Sequence, residues 1–264
     1  MSADTIDYEI LGNDLQAVTI TLDPGEAAVA EAGAFMYMDD GVELVTKLSM
    51  SESGGLLGRL FQAGKRALTG DSFFITFFYN RAAQRRTVTF AAPYPGHVLP
   101  IELSEYGGSL LCQKDAFLCA ARGIDVTIAF QKRIGAGFFG GEGFILQKLT
   151  SSDGRGLAFV HAGGTLIQRQ LAPGEVLRVD TGCVVAFTPD VDFDIEIVPG
   201  IKNKLFGGEG LFYTRLRGPG KVWLQTMPFS RLADRIYASA PQTGSAGREE
   251  GSVLGGLGRM IGGR

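Results

Sequence analysis

The chain has 264 residues, of which 45% are hydrophobic and 20% charged, with a formal net charge of −3. This is ordinary globular composition, long enough to bury a core without a metal or disulfide. The acidic balance argues against a generic nucleic-acid binder, which needs a basic field to displace counterions.

In chain order, Met1–Ile10 carries Asp4, Asp7 and Glu9 and reads as neither a secretory signal nor a transit peptide. Tyr8–Leu11 and Leu15–Leu22 read as a hairpin around Gly12-Asn13. A Pro24-Gly25-Glu26 turn follows, then AFMYMDDGVELVTKL from Ala34, an apolar strand and an alternating strand joined at Asp40-Gly41. Residues 55–68 space Leu57, Leu60, Phe61, Gly64, Ala67 and Leu68 on one face of an expected helix, with Arg59, Gln62, Lys65 and Arg66 opposite. TGDSFFITF from Thr69 and Thr87–Ala91 read as two more strands.

The same order of features then returns twice. Pro95-Gly96-His97 leads to AFLCAARGIDVTIAF from Ala116, GGEGFILQKL from Gly140, and Leu157–His161. Pro173-Gly174-Glu175 leads to CVVAFTPDVDFDIEIV from Cys183, GGEGLFYTRL from Gly207, and Val222–Met227. The spacing from Pro24 to Ala34 equals that from Pro173 to Cys183, and the spacing from Ala116 to Gly141 equals that from Cys183 to Gly208. The two intervals that differ are longer by the same amount. In the second copy the excess, LPIELSEYGG, reads as an added strand and turn.

The expected fold is therefore all-β. Three tandem copies, at about residues 15–92, 93–164 and 165–227, would pack about a pseudo-threefold axis because one small β unit leaves a face and its edges bare. A second short helix is expected at 229–238, followed by a mobile Gly-rich tail over 239–264.

Candidate chemistry is sparse. Gly135–Gly140 matches G-x-G-x-x-G but runs into a strand pattern, where a dinucleotide site needs a helix. Gly70-Asp71-Ser72 lacks a partner base, because His97 and His161 are the only histidines and neither is suitably placed. Those two read as a turn residue and a hydrogen-bonded strand residue. Glu142 and Glu209 read as turn residues or cross-strand partners. Cys112, Cys119 and Cys183 form no C-x-x-C pair, which fits reduced thiols and a cytoplasmic location. No catalytic residue, cofactor or metal site is expected.

The strongest functional pattern lies ahead of the three equivalent glycine turns. Leu57, Arg59, Phe61, Lys65 and Arg66 stand in the first copy, Lys132, Arg133, Phe138 and Phe139 in the second, and Lys202, Lys204 and Phe206 in the third. Bases interleaved with bulky apolar side chains suit an anionic membrane surface or an acidic protein partner. The expected function is a non-enzymatic scaffold or interaction protein, able to self-associate through strand edges. A small-molecule binder using clefts between β units is the alternative.

The Pro-Gly-Glu turn, AFMYMDDGVELVTKL, TGDSFFITFF and the paired GGEG hairpins together resemble the bacterial branch of the mitochondrial-biogenesis family named for altered inheritance of mitochondria. The resemblance covers roughly residues 6–227. It implies three units in one chain with a fold like the tryptophan RNA-binding attenuator protein. It brings no catalytic residues, and the mitochondrial members' link to inner-membrane organisation does not transfer directly.

Overall fold

The computed structural model describes residues 2–50, 72–132, 144–197 and 212–239. Among these residues the fold is all-β, with a single short helix near the C-terminus. The helix expected at 55–68 lies outside the described residues, as does the Gly-rich tail from residue 240 onward.

A first strand, β1 (Asp7–Leu11), pairs with β2 (Ala17–Leu22) as the N-terminal hairpin. From β2 onward the strands fall into three blocks. The first block is β2, β3 (Ala27–Ala30), β4 (Phe35–Met38), β5 (Val42–Met50), β6 (Ser72–Asn80) and β7 (Arg86–Ala91). The second is β8 (Gly96–Glu102), β9 (Ser109–Gln113), β10 (Phe117–Ala121), β11 (Ile124–Lys132), β12 (Phe144–Ser151) and β13 (Leu157–Gly163). The third is β14 (Leu166–Leu171), β15 (Val176–Asp180), β16 (Val184–Phe187), β17 (Asp192–Ile197), β18 (Phe212–Arg217) and β19 (Gly220–Gln225).

Each block makes the same four antiparallel pairings. The first strand and the third pair with the sixth, and the second and fourth pair with the fifth. A short 3-10 turn precedes the third strand in each block: Ala32–Ala34, Lys114–Ala116 and Thr181–Cys183. The third strand also carries the same register shift each time, skipping Met36, Leu118 and Val185. An extra residue opposite one partner bends a strand, and the bend recurs here where the strand leaves its turn.

Blocks join by sharing sheets. β3 pairs with β10, and β9 pairs with β16, which builds two six-stranded sheets across the block boundaries. The cores cross the same boundaries. One apolar cluster holds Phe78, Phe90, Phe117 and Phe159, and the other holds Phe144 of the second block with Phe187 and Leu216 of the third. Burying each such ring contributes about 2–3 kcal/mol, so the blocks stabilise one another rather than hanging on linkers. Of the three boundaries in the arrangement expected from the sequence, strand pairing draws two.

The turns explain one difference from the sequence reading. Pro24-Gly25 and Pro173-Gly174 each follow the first strand of a block. Their glycines take positive φ, 88° and 79°, where a side chain would be strained. Glu26 and Glu175 reach back to accept the backbone N–H of Asp23 and Ala172 at 2.8 and 2.9 Å. Pro95-Gly96 instead precedes β8. The segment read as an added strand and turn holds the end of β8, the counterpart of β2 and β14, and the 3-10 turn that follows it. The Pro-Gly turn of the second block is replaced by a 3-10 turn, Leu103–Tyr106, closed by the Leu103 carbonyl accepting from Gly108 N–H. His97 therefore lies within β8 and is not the counterpart of Glu26.

The N-terminal arm stitches the first two blocks. The Asp4 carboxylate accepts the Ala27 N–H at 2.9 Å and an Arg122 guanidinium N–H at 2.8 Å, while the Asp4 N–H donates to the Arg122 carbonyl. The helix, α1 (Phe229–Ser239), begins in the compact unit Met1–Arg231 and continues into a second unit, Leu232–Arg264.

Candidate functional site

The basic-apolar residues singled out in the sequence fall on three chain segments. Leu57, Arg59, Phe61, Lys65, Arg66, Arg133, Phe138, Phe139, Lys202, Lys204 and Phe206 lie outside the described residues. Lys132 ends β11 with its backbone opposite Phe144. Strand pairing fixes the position of the segments in the chain: 51–71 links β5 to β6, 133–143 links β11 to β12, and 198–211 links β17 to β18. In each block the described strands on either side, the fourth and the fifth, pair antiparallel. Gly135–Gly140, Gly70, Asp71, Glu142 and Glu209 also lie outside the described residues.

The described residues contain a cleft of about 220 Å³ at the boundary of the first two blocks. Its walls come from the link between β7 and β8 (Pro93, Tyr94), the 3-10 turns of both blocks (Ala34, Asp115), His161 of β13, and Phe229 at the start of α1. Tyr94 stands edge-on to His161, with ring centroids 4.6 Å apart, and lies 5.3 Å from the Phe229 ring. Its hydroxyl donates to the Asp115 carbonyl at 3.4 Å.

His161 is 1% exposed, yet among the described residues neither ring nitrogen has a hydrogen-bond partner. The sequence reading of a hydrogen-bonded strand histidine is corrected here. Burial first, and then the charge of nearby His97, lower its pKa to about 4, so the ring is neutral at neutral pH. The third block shows why the partners are missing. There the matching position is Gln225, which accepts from Gly163 N–H at 2.8 Å and donates to the Gly182 carbonyl at 2.8 Å. The counterpart of Gly163 is Pro93, which has no N–H to give. The counterpart of Gly182 is Asp115, whose carbonyl Tyr94 engages instead. An amide bridge between blocks is thus replaced by an aromatic pair, and space opens beside it. Nearby, Gln147 of β12 reaches across the boundary to donate to Glu31 at 2.9 Å.

The thiols are poor nucleophiles. Burial pushes Cys112 and Cys119 well above the ordinary thiol range and raises half-buried Cys183 as well. Among the described residues no group of three or more His, Cys, Asp or Glu is placed to hold a metal ion. Among them, too, no helix is long and apolar enough to cross a membrane.

Comparison with known proteins follows the fold over most of its length. The family model described as "Mitochondrial biogenesis AIM24" matches residues 8–227. An uncharacterized protein of Streptococcus pyogenes serotype M6 is 28% identical over 225 residues, covering 85% of this chain and 86% of that protein. The crystal structure of protein SPYM3_0169 from Streptococcus pyogenes superposes with a TM-score of 0.65 at 21% identity, covering 89% of this chain and all of that one, which speaks for the fold alone. The chain belongs to the mitochondrial biogenesis AIM24 family.

Proposed function

We propose that the chain is a non-enzymatic scaffold that docks to an anionic membrane surface or to a protein partner through its three basic-apolar connections. One observation carries the reading: all three connections join the fourth and fifth strands of a block, so one hairpin type brings bases and bulky apolar side chains three times. Weak contacts carried on one chain gain by effective concentration when they engage one surface. The acidic total leaves nucleic acid a poor partner. A cytoplasmic setting fits the free thiols.

Co-sedimentation with vesicles tests this reading. Binding is expected to vesicles containing phosphatidylserine, to weaken with salt, and to fall at least several-fold in Phe138→Ser/Phe139→Ser. Equal recovery with neutral and anionic vesicles, unchanged in that variant, would remove the membrane version.

A second reading, a small-molecule site, is favoured by the cleft beside Tyr94 and His161. At about 220 Å³ it is below the usual range for drug-sized ligands and suits a small, partly apolar molecule able to hydrogen-bond the imidazole. A thermal shift with a metabolite, lost in His161→Leu, would support it, and a flat panel would count against it.

A further inference from the structure

In the second and third blocks, the third strand is covered by the block before it. β10 lies against β3 and β16 against β9, and in each the central residues are sealed: Leu118 and Cys119 are 2% and 0% exposed, Val185 and Ala186 both 0%. β4 is the matching strand of the first block, and among the described residues no second strand of another block pairs with it. It ends its sheet, and Met36 and Tyr37 are 60% and 47% exposed. Leu44 of β5 is also exposed, whereas its counterpart Val126 of β11 is buried. At the other end of the chain, β15 matches β3 and β9 but ends its sheet too.

β4 and β15 thus present two different strand edges, and each is the kind the other pairs with twice inside the same molecule. We infer that β15 of one molecule pairs antiparallel with β4 of the next, head to tail, repeating the two internal boundaries.

The register follows from those boundaries. Ala30 sits opposite Cys119 and Val29 opposite Ala120, while Cys112 sits opposite Ala186 and Leu111 opposite Phe187. The cross-strand partners Thr76, Gln147 and Thr214 match Ala30, Cys112 and Val179 with one another. The shared register shift matches Tyr37, Cys119 and Ala186. The new boundary therefore sets Val179 opposite Tyr37 and Arg178 opposite Met38. It would close two open edges, which otherwise invite unspecific pairing. It would also bury an apolar strip that a lone chain leaves wet. A contact between unlike surfaces of identical chains is heterologous, so each molecule uses one edge of each kind. This inference is independent of membrane docking, since it uses none of the basic-apolar connections.

Opposed residues on paired strands lie within disulfide reach, which gives a direct test. Tyr37→Cys and Val179→Cys are placed together in one chain that also carries Cys183→Ser, and the protein is oxidised gently and run on a non-reducing gel. A ladder of covalent multimers is expected, with none from Leu15→Cys/Val179→Cys, because Leu15 is exposed but precedes β2, which β7 separates from β4. A fast-migrating cross-linked monomer would show the two edges closing on themselves and overturn the inference, and so would the absence of any cross-link. Light scattering gives the second readout. The unmodified protein should be multimeric, and Met36→Lys/Tyr37→Lys should be monomeric with an unchanged circular dichroism spectrum. A unmodified protein that is monomeric at micromolar concentration would contradict the proposal.

Discussion

At the scale of single residues, His161 carries the clearest thermodynamic signature. An unfolded imidazole takes a proton near pH 6.5, whereas the buried one resists until about pH 4. The unfolded chain therefore binds more protons across that window, and stability must fall as pH drops from about 6.5 to about 4, then level off. The stake is up to about 3 kcal/mol, from the 1.36 kcal/mol that accompanies each unit of difference. Urea titrations should show this slope in the unmodified protein and lose it in His161→Leu. At pH 7 the variant should lie within about 1 kcal/mol of the parent, because the ring nitrogens it removes make no hydrogen bond. An unchanged pH slope would place the acid sensitivity elsewhere. The sequence could not reveal this site. Its two ends, Tyr94 and His161, are distant in the chain, and the missing bond depends on Pro93 lying where the next boundary has Gly163. The matched position shows only after strands are paired.

At the scale of elements, the second block has exchanged a Pro-Gly turn for the Leu103–Tyr106 turn, and the exchange fastens two blocks. Tyr106 stands edge-on to Trp223 of β19 with centroids 5.4 Å apart, and Lys221 reaches its hydroxyl at 3.2 Å. Tyr106→Ala should cost about 1–2 kcal/mol, since an aromatic pair and its burial are lost together, and Tyr106→Phe should recover most of it. Chemical denaturation would measure both. Equal stability of all three proteins would mean the turn is a passive link. Strand order and the apolar and alternating runs were legible locally, because period-two patterns and turn glycines are properties of a few adjacent residues. The misplacement of Pro95-Gly96 has an equally physical cause. The same dipeptide starts a strand in one block and ends one in the others, and only hydrogen-bond partners tell the two apart.

At the scale of the whole molecule, the three third strands FMYM, FLCAA and VVAF all read as apolar strands, so the sequence does not tell which of them is covered. Two are interior because a neighbouring block covers them, and the first is exposed because, among the described residues, no strand of another block lies against it. Burial here is set by which block lies alongside, which no residue encodes locally. The same logic yields the central claim that the chain is built to continue into another molecule. An experimental structure of the assembled protein reads this most directly. β15 of one molecule should run antiparallel to β4 of its neighbour, with Val179 facing Tyr37; both edges left in solvent, or β15 bonded to β4 of its own chain, would contradict it.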